Sequence, residues 1–392
     1  MTPVKDQGSC GSCWAFASYG ALESNILMSG GPVENFSENH LITNHGFELD
    51  PCEGGNYGMS AAYMSRLDGP VNEIDDPYPY SILGSGGTTP DGYDRPYFLR
   101  DSSRLDTDNE IKNALMTTGA LATDMYYGAS YLRSSDNTYY YNGPASPNHG
   151  ITIVGWDDTK ETAGGTGAWR IKNSWGPSWG DDGYFWLSYN DAVGGNTAVT
   201  FEAATNDYVR GVYQHDRFGY VASLTPQWAM NVFQRQSSRP IGGVGFYTLA
   251  DGAGYQVDIY DSFVPGVGLS GQLASLTGTA TYQGFHVVDF DEWISLPNDD
   301  FVVVLYLDTG FVSGSNTFYQ ALQMTIDDYC NSVAAPGQSY YSFNGSSWGD
   351  IYAWNDSATF VMKAYETPEP ATVALMRLGL SVLEARRRRL RN

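Results

Sequence analysis

The sequence predicts an α+β chain in which a helical lobe is followed by a β lobe and then by an all-β sandwich. Three observations carry this. Apolar residues between Cys13 and Met28 recur at helical spacing, the pattern changes from Gly119 onward to short β-branched and aromatic runs, and residues 205–365 continue in strand patterns only. Charge divides the chain at similar places: residues 1–204 carry 10 basic and 26 acidic side chains, 205–365 carry 5 and 15, and 366–392 carry 6 and 3. The expected divisions are therefore 1–204, 205–365 and a tail of 366–392.

In the first helix Trp14, Ala17, Ala21, Leu22 and Ile26 share a face, and Gly30-Gly31 would stop it. Shorter helical patterns cover 60–66 and 108–117. The β lobe reads in the runs 150–156, 168–173 and 183–189, each bounded by Gly, Asp or Asn. The third segment offers strands at 243–249, 255–260, 284–290, 301–308 and 359–364, with turns spaced as in a sandwich.

Composition removes some functions. Lys plus Arg is 21 against 44 for Asp plus Glu, a net charge of −23, and so acidic a surface repels nucleic acid and anionic lipid. Nucleic acid is not an expected partner. Charged residues are only 17% of the chain, with 45 Gly, 29 Tyr and 10 Trp, which suits an exported, β-rich protein. The four cysteines (Cys10, Cys13, Cys52, Cys330) are too few for a disulfide scaffold. Residues 1–30 lack the basic-then-apolar layout of a signal peptide, so for an exported protein this start would not be the original one.

The segment Gln7-Gly-Ser-Cys10-Gly-Ser-Cys13-Trp14 puts a cysteine at the start of the first helix, with a glutamine six residues before it. A helix N-terminus and a neighbouring imidazolium favour thiolate over thiol. A backbone N–H at that helix start and the Gln7 amide are suited to stabilising the oxyanion of a tetrahedral acyl intermediate. Such a nucleophile needs a histidine to exchange its proton and a group to orient that histidine. Asn148-His149-Gly-Ile-Thr-Ile-Val-Gly-Trp156 supplies His149, 136 residues after Cys13, and Lys172-Asn173-Ser-Trp175 supplies Asn173, 160 after it.

These motifs resemble the papain-like cysteine peptidases, the C1 family, whose C-G-[SA]-C-[WY] signature precedes a distant His and Asn. Pro51-Cys52-Glu-Gly54-Gly55, Tyr78-Pro79-Tyr80 and the Asn173-Ser-Trp-Gly-Pro-Ser-Trp-Gly-Asp-Asp-Gly-Tyr184 block fall in the same order and at similar spacing. The resemblance covers most of residues 1–200. It implies a papain-like two-lobed fold, a helical lobe plus a β-barrel-like lobe, with Cys13 as nucleophile, His149 as base and acid, Asn173 as its orienting group and Gln7 as oxyanion donor. It further implies a Cys10–Cys52 disulfide, a Trp175 that shields the Asn173–His149 hydrogen bond, and Gly54, Gly55 and Asn148 along the substrate path, with Tyr57 and Met59 near the pocket for the substrate's second residue. No metal or organic cofactor is implied; the partners are protein or peptide substrates. The signal peptide, the inhibitory propeptide and the strand usual before Met1 are missing, which reads as a truncated start. Absence of a second lobe disulfide points to a bacterial or archaeal branch, and absence of a paired-histidine occluding insertion points to an endopeptidase.

Residues 205–365 contain Asn231-Val-Phe233, Val244-Gly-Phe-Tyr247, Val257-Asp-Ile-Tyr260 and Gly337-Gln-Ser-Tyr-Tyr-Ser342 with Trp348 beyond, and resemble the lectin-like β-sandwich that follows some prokaryotic papain-like peptidases. Its aromatics read either as sugar-stacking faces or as core. Cys330 reads as a buried free thiol or an intermolecular one, and Asp299-Asp300 and Asp327-Asp328 as a solvated acidic face or a calcium site. His40, His45, His215 and His286 read as ordinary surface or core residues. The tail, Thr367-Pro368-Glu369-Pro370 followed by an apolar stretch and Arg386–Arg389, resembles a PEP-CTERM sorting signal, which implies exosortase processing at a bacterial envelope. Its apolar stretch, 371–385, is short of the roughly 17–25 residues of a spanning helix and holds Arg377 and Glu384. The sequence thus reads as an exported, envelope-associated cysteine endopeptidase; the rival is a surface-anchored carbohydrate-binding protein with a vestigial peptidase lobe.

Overall fold

A computed structural model describes residues 2–78, 92–308 and 319–368. The pair Pro79-Tyr80 and the sorting-signal reading from Glu369 onward lie outside the described residues. Four α-helices occur among those described: α1 (Cys13–Met28), α2 (Glu38–Asn44), α3 (Tyr57–Ser65) and α4 (Asp108–Thr117). Helix α1 is buried from Trp14 through Ile26 on every face, so it is a central rod rather than an amphipathic surface helix. Its buried polar side chains find partners: Ser18 donates to the Trp14 carbonyl and hydrogen-bonds the Ser60 hydroxyl, and Asn25 donates to the Thr118 carbonyl while accepting from the Ala203 N–H. Gly30, at φ +82°, ends the helix where expected.

Helix α3 starts three residues before the expected 60 because Asn56 caps it, accepting the Met59 N–H at 3.1 Å. Helix α2, not expected, is capped by Ser37, whose side chain accepts the His40 N–H. Helix α4 has the expected bounds and carries a reciprocal Thr107/Glu110 cap.

The first segment also contains a strand that the expected helical lobe did not include, Tyr97–Leu105. Its charged residues Arg100, Asp101 and Arg104 hide it from a pattern search; Arg100 and Asp101 find partners far along the chain, Asp289 and His286, and Arg104 pairs with nearby Asp106. This strand pairs antiparallel with Glu202–Thr205, Ala198–Val199 and Gly284–Ile294. One 13-stranded sheet results. It runs from Gly211–Tyr213 through Met362–Glu366, Ile241–Thr248, Gly284–Ile294, Tyr97–Leu105, Ala198–Val199, Leu121–Met125, His149–Thr162, Gly165–Lys172, Tyr184–Ser188 and Thr138–Tyr139 to Leu132–Arg133, with Glu202–Thr205 beside Tyr97–Leu105. Strands from both sides of residue 204 are therefore neighbours in one sheet.

A six-stranded sheet, ordered Gly268–Ala280, Ala253–Val264, Asp300–Asp308, Trp228–Gln234, Ser339–Ser342 and Gly349–Asp350, faces the C-terminal part of the large one. Between them lie Phe233, Phe246, Val257, Phe301, Leu305 and Met362. The aromatics of the sandwich motifs are mostly core: Phe233 and Phe246 are buried, as are Tyr247 and Tyr340. A second core, around Leu121, Ile151, Trp169 and Phe185, fills the β lobe, and a third joins helix α1 and α3 to Phe218, Tyr247, Phe285 and Tyr365 of the C-terminal segment.

Polar contacts reinforce that junction. Arg66, on the end of α3, donates to the Arg217, Asn44 and His45 carbonyls, and the Tyr365 hydroxyl donates to the Ser65 carbonyl. His286, expected to be an ordinary residue, bonds Asp101 at 2.6 Å across the two segments. Cys330 is buried as a free thiol. Asp299 is 97% exposed, and among the described residues no group of three or more His, Cys, Asp or Glu side chains is placed to hold a metal. No helix among them is long and apolar enough to cross a membrane.

Candidate active site

The N-terminal segment crosses from one lobe to the other. Asp6 bridges Trp175 of the β lobe, and Gly176 donates to the Lys5 carbonyl. The Lys5 ammonium points the other way, bonding Glu38 at 2.7 Å and the Phe36 carbonyl, with Glu23 at 3.4 Å. Burial works against this charge, but Glu38 and Glu23 outweigh it and hold the ammonium well above its ordinary value. Gln7 is fixed by four bonds. Its N–H reaches the Ser174 carbonyl, Ser174 Oγ donates to Oε1 at 2.6 Å, Nε2 donates to the Cys10 carbonyl at 2.8 Å, and the Gln7 carbonyl accepts from the Tyr78 hydroxyl. One N–H of Nε2 is left over by that count.

Cys10 and Cys52 form a disulfide with a Cα–Cα separation of 4.6 Å. It binds the segment before α1 to the Cys52-Glu-Gly54-Gly55 turn, where Gly11 donates to the Cys52 carbonyl. Gly54 needs its glycine for a φ of +98°, and a Cβ on Gly55 would stand 2.3 Å from the Trp14 ring. These close approaches put a bare backbone on one wall of a cleft.

Cys13 opens α1, and its sulfur accepts the Gly150 N–H at 3.2 Å, an approach between residues 137 apart in sequence. His149 is buried, and its Nε2 lies 2.8 Å from Asn173 Oδ1. That same oxygen accepts the Ser174 N–H, so the amide faces the ring with oxygen and Nε2 carries the hydrogen. The Trp175 indole stacks on the imidazole at 4.4 Å between centroids, and Tyr127 and Trp179 meet that indole edge-on. Burial pushes the Cys13 thiol above its ordinary value, opposed by the Gly150 and Trp14 N–H groups. Burial also lowers the His149 imidazole to about 4, opposed by the Asn173 hydrogen bond. Taken singly, each group is held neutral.

The cleft, about 470 Å³, is lined by Cys13, His149, Asn148, Gly54 and Gly55 together with Glu53, Asp124 and Pro147. Asn148 sits exposed at its rim, tied to Tyr127 by both its amide oxygen and nitrogen. Tyr57 and Met59 are not part of this lining: the Tyr57 hydroxyl donates to the Thr123 carbonyl at 2.6 Å and Met59 is fully buried. Met59 packs in the helical-lobe core. The half-buried Tyr57 reaches the edge of the cleft with its hydroxyl, which lies beside Gly150 and Asp124. Sequence reasoning missed Ser174, Tyr127, Glu53 and Asp124; only Ser174 and Glu53 had a signal, as members of quoted motifs.

The sequence model described as papain family cysteine protease matches residues 1–203, and one described as lectin like domain matches residues 212–366. The viral cathepsin of Adoxophyes honmai nucleopolyhedrovirus is 34% identical over 207 residues, 52% of this chain and 58% of that protein. Cathepsin K of Gallus gallus is 35% identical over 211 residues, 48% of this chain and 56% of that protein. The match thus spans little more than half of the length of these curated relatives. Among solved structures, the cysteine protease and lectin-like domains of Cwp84, a surface-layer-associated protein of Clostridium difficile, superpose with a TM-score of 0.83 at 26% identity, covering 94% of this chain and 86% of that one. A clostridial Cwp84 structure after propeptide cleavage gives the same score and identity over 97% of its own chain.

Proposed function

We propose that this chain, which belongs to the papain family of cysteine proteases, hydrolyses peptide bonds as an endopeptidase at the cell envelope or outside the cell. The observation that carries this reading is the His149 ring, fixed by Asn173 and Trp175 on the wall of the cleft that Cys13 lines. With Nε2–H committed to Asn173, Nδ1 is the nitrogen that exchanges a proton with sulfur. The proton passes from Sγ to Nδ1, and the thiolate attacks the scissile carbonyl carbon. The C–N bond breaks as Nδ1–H protonates the leaving amine. Water, giving its proton to Nδ1, then cleaves the thioester and restores the thiol. The remaining Gln7 Nε2–H and the Cys13 backbone N–H would bind the oxyanion, and Gly54 and Gly55 the extended substrate backbone.

Because each group by itself is held neutral, the reactive thiolate–imidazolium form depends on the two charges stabilising each other. This supports a direct test. Covalent labelling of Cys13 by a peptide epoxide, followed across pH, should be fast near neutral pH, vanish in Cys13→Ala and move to alkaline pH in His149→Ala. A folded protein that labels no faster than a free thiol would overturn the reading.

We divide the roles at residue 204: peptidase in 1–204, a carbohydrate-holding sandwich in 205–365, and an exosortase-processed tail in 366–392. Envelope association is supported by the surface-layer association of the Clostridium difficile relative.

A further inference from the structure

We propose that Asp124 makes the cleft select substrates that carry a basic side chain beside the scissile bond. The proposal rests on the peptidase reading of the cleft.

Asp124 lies on the strand Leu121–Met125, paired antiparallel with His149–Thr162 in a register that sets Asp124 opposite Gly150 and Met125 opposite His149. Its neighbours Leu121, Ala122, Thr123 and Met125 are buried, and Asp124 is the exposed residue of the strand. The alternation of the pleat turns it away from the β-lobe core and into the cleft. Gly150, across the strand pair, is the residue whose N–H touches the Cys13 sulfur. Directly opposite residues on such a pair stand about 5 Å apart at Cα, so the carboxylate is within one side chain's reach of the reacting centre.

The charge here is one-sided. Among the described residues, Glu53 and Asp124 line the cleft and no Lys or Arg does. Several other acids of the β lobe and its surroundings are matched, Asp136 with Arg133, Asp158 with Lys112 and Asp181 with Arg170, whereas Glu161 and Asp182, outside the cleft lining, show no ion pair among the described residues. Asp124 has no ion pair among the described residues; burial raises its carboxyl, opposed by the hydrogen bond of its neighbour, the Tyr57 hydroxyl, which favours the carboxylate. A carboxylate without a cation partner in a concave site of low dielectric attracts a cation and repels an anion.

Leaving it unmatched also has a chemical consequence. The Asp124 charge opposes ionisation of the Cys13 thiol. A guanidinium or ammonium brought in by the substrate cancels that opposition as it binds, so the right substrate lowers the cost of forming its own nucleophile. Selection would then show in turnover as well as in binding.

Matched peptide substrates differing only by Arg or its uncharged isostere citrulline, scanned at each position around the scissile bond, test this. At one position near the bond the unmodified protein should prefer Arg by about tenfold or more in kcat/KM, and the preference should shrink as salt is added. In Asp124→Asn that ratio should collapse toward one, while Asp124→Glu keeps it. Iodoacetamide, a small neutral alkylator, should label Cys13 of Asp124→Asn with a pH midpoint shifted to lower pH. Equal rates for Arg and citrulline peptides in the unmodified protein, or an unchanged ratio in Asp124→Asn, would overturn the proposal while labelling at Cys13 leaves the peptidase reading standing. Failure of Cys13 to label faster than a free thiol removes both.

Discussion

Asn173 uses one oxygen twice, for the His149 Nε2–H and for the Ser174 N–H, while its Nδ2 is buried without a hydrogen-bond partner among the described residues. An unpaired buried amide nitrogen costs on the order of 1–3 kcal/mol, so stability alone gives little reason for an amide here. The acceptor is what the site uses: it keeps hydrogen on Nε2 and leaves Nδ1 for the sulfur. Asn173→Ala should therefore lower kcat by roughly 10- to 100-fold with a small change in KM, measured on a peptide substrate with active sites counted by covalent titration. A fall in KM affinity alone would assign Asn173 to binding instead. At the same scale, the Asn56 cap starts α3 at Tyr57, whose hydroxyl reaches Gly150 and Asp124 at the edge of the cleft.

At the scale of elements, caps and glycines set where each helix starts and stops. Thr107 and Glu110 exchange bonds at the start of α4, and Glu110 also accepts from the Asp106 N–H. Thr107→Ala should lower unfolding free energy by about 1 kcal/mol in urea titration, with activity per folded molecule retained, because α4 is not part of the cleft. A loss well beyond that would mean the cap also holds the Tyr97–Leu105 strand, which ends two residues earlier. That strand was not legible because its apolar alternation is interrupted by charged groups whose ion-pair partners are distant: Arg100 with Asp289 and Asp101 with His286. By contrast α1 and the strands of the β lobe were legible to within a few residues, since their apolar spacing and glycine boundaries are local.

Over the whole molecule, the two segments are joined by a common sheet, a common core and buried polar bonds. Within the second segment, Lys363 and Asp216 form an ion pair with both side chains fully buried. Burial raises the Asp216 carboxyl and lowers the Lys363 ammonium, each opposed by its partner. Lys363→Met strands the carboxylate and should cost about 3–5 kcal/mol, read as a fall in Tm, and adding Asp216→Leu should restore much of it. If the single variant is as stable as the original, the pair is not buried in solution and the sandwich is less closely packed around it. Fold class, the helical lobe, the β lobe and the sandwich were all visible in composition and periodicity. Their continuity was not, because strands on either side of residue 204 pair across as many as 185 residues.

By itself the sequence determined the chemistry on offer: a cysteine at a helix start, a histidine at a strand start, an asparagine before a tryptophan, and glycines where backbone must approach closely. Each is a local property, fixed by spacing, capping and the conformations a residue type allows. Only the tertiary structure decided which side chains face the cleft. It packed Met59 into the core, turned Asp124 outward beside Gly150, and joined Asp101 to His286. These outcomes depend on strand register and lobe packing, which are set by the sum of many distant contacts, and no short stretch of sequence contains that sum.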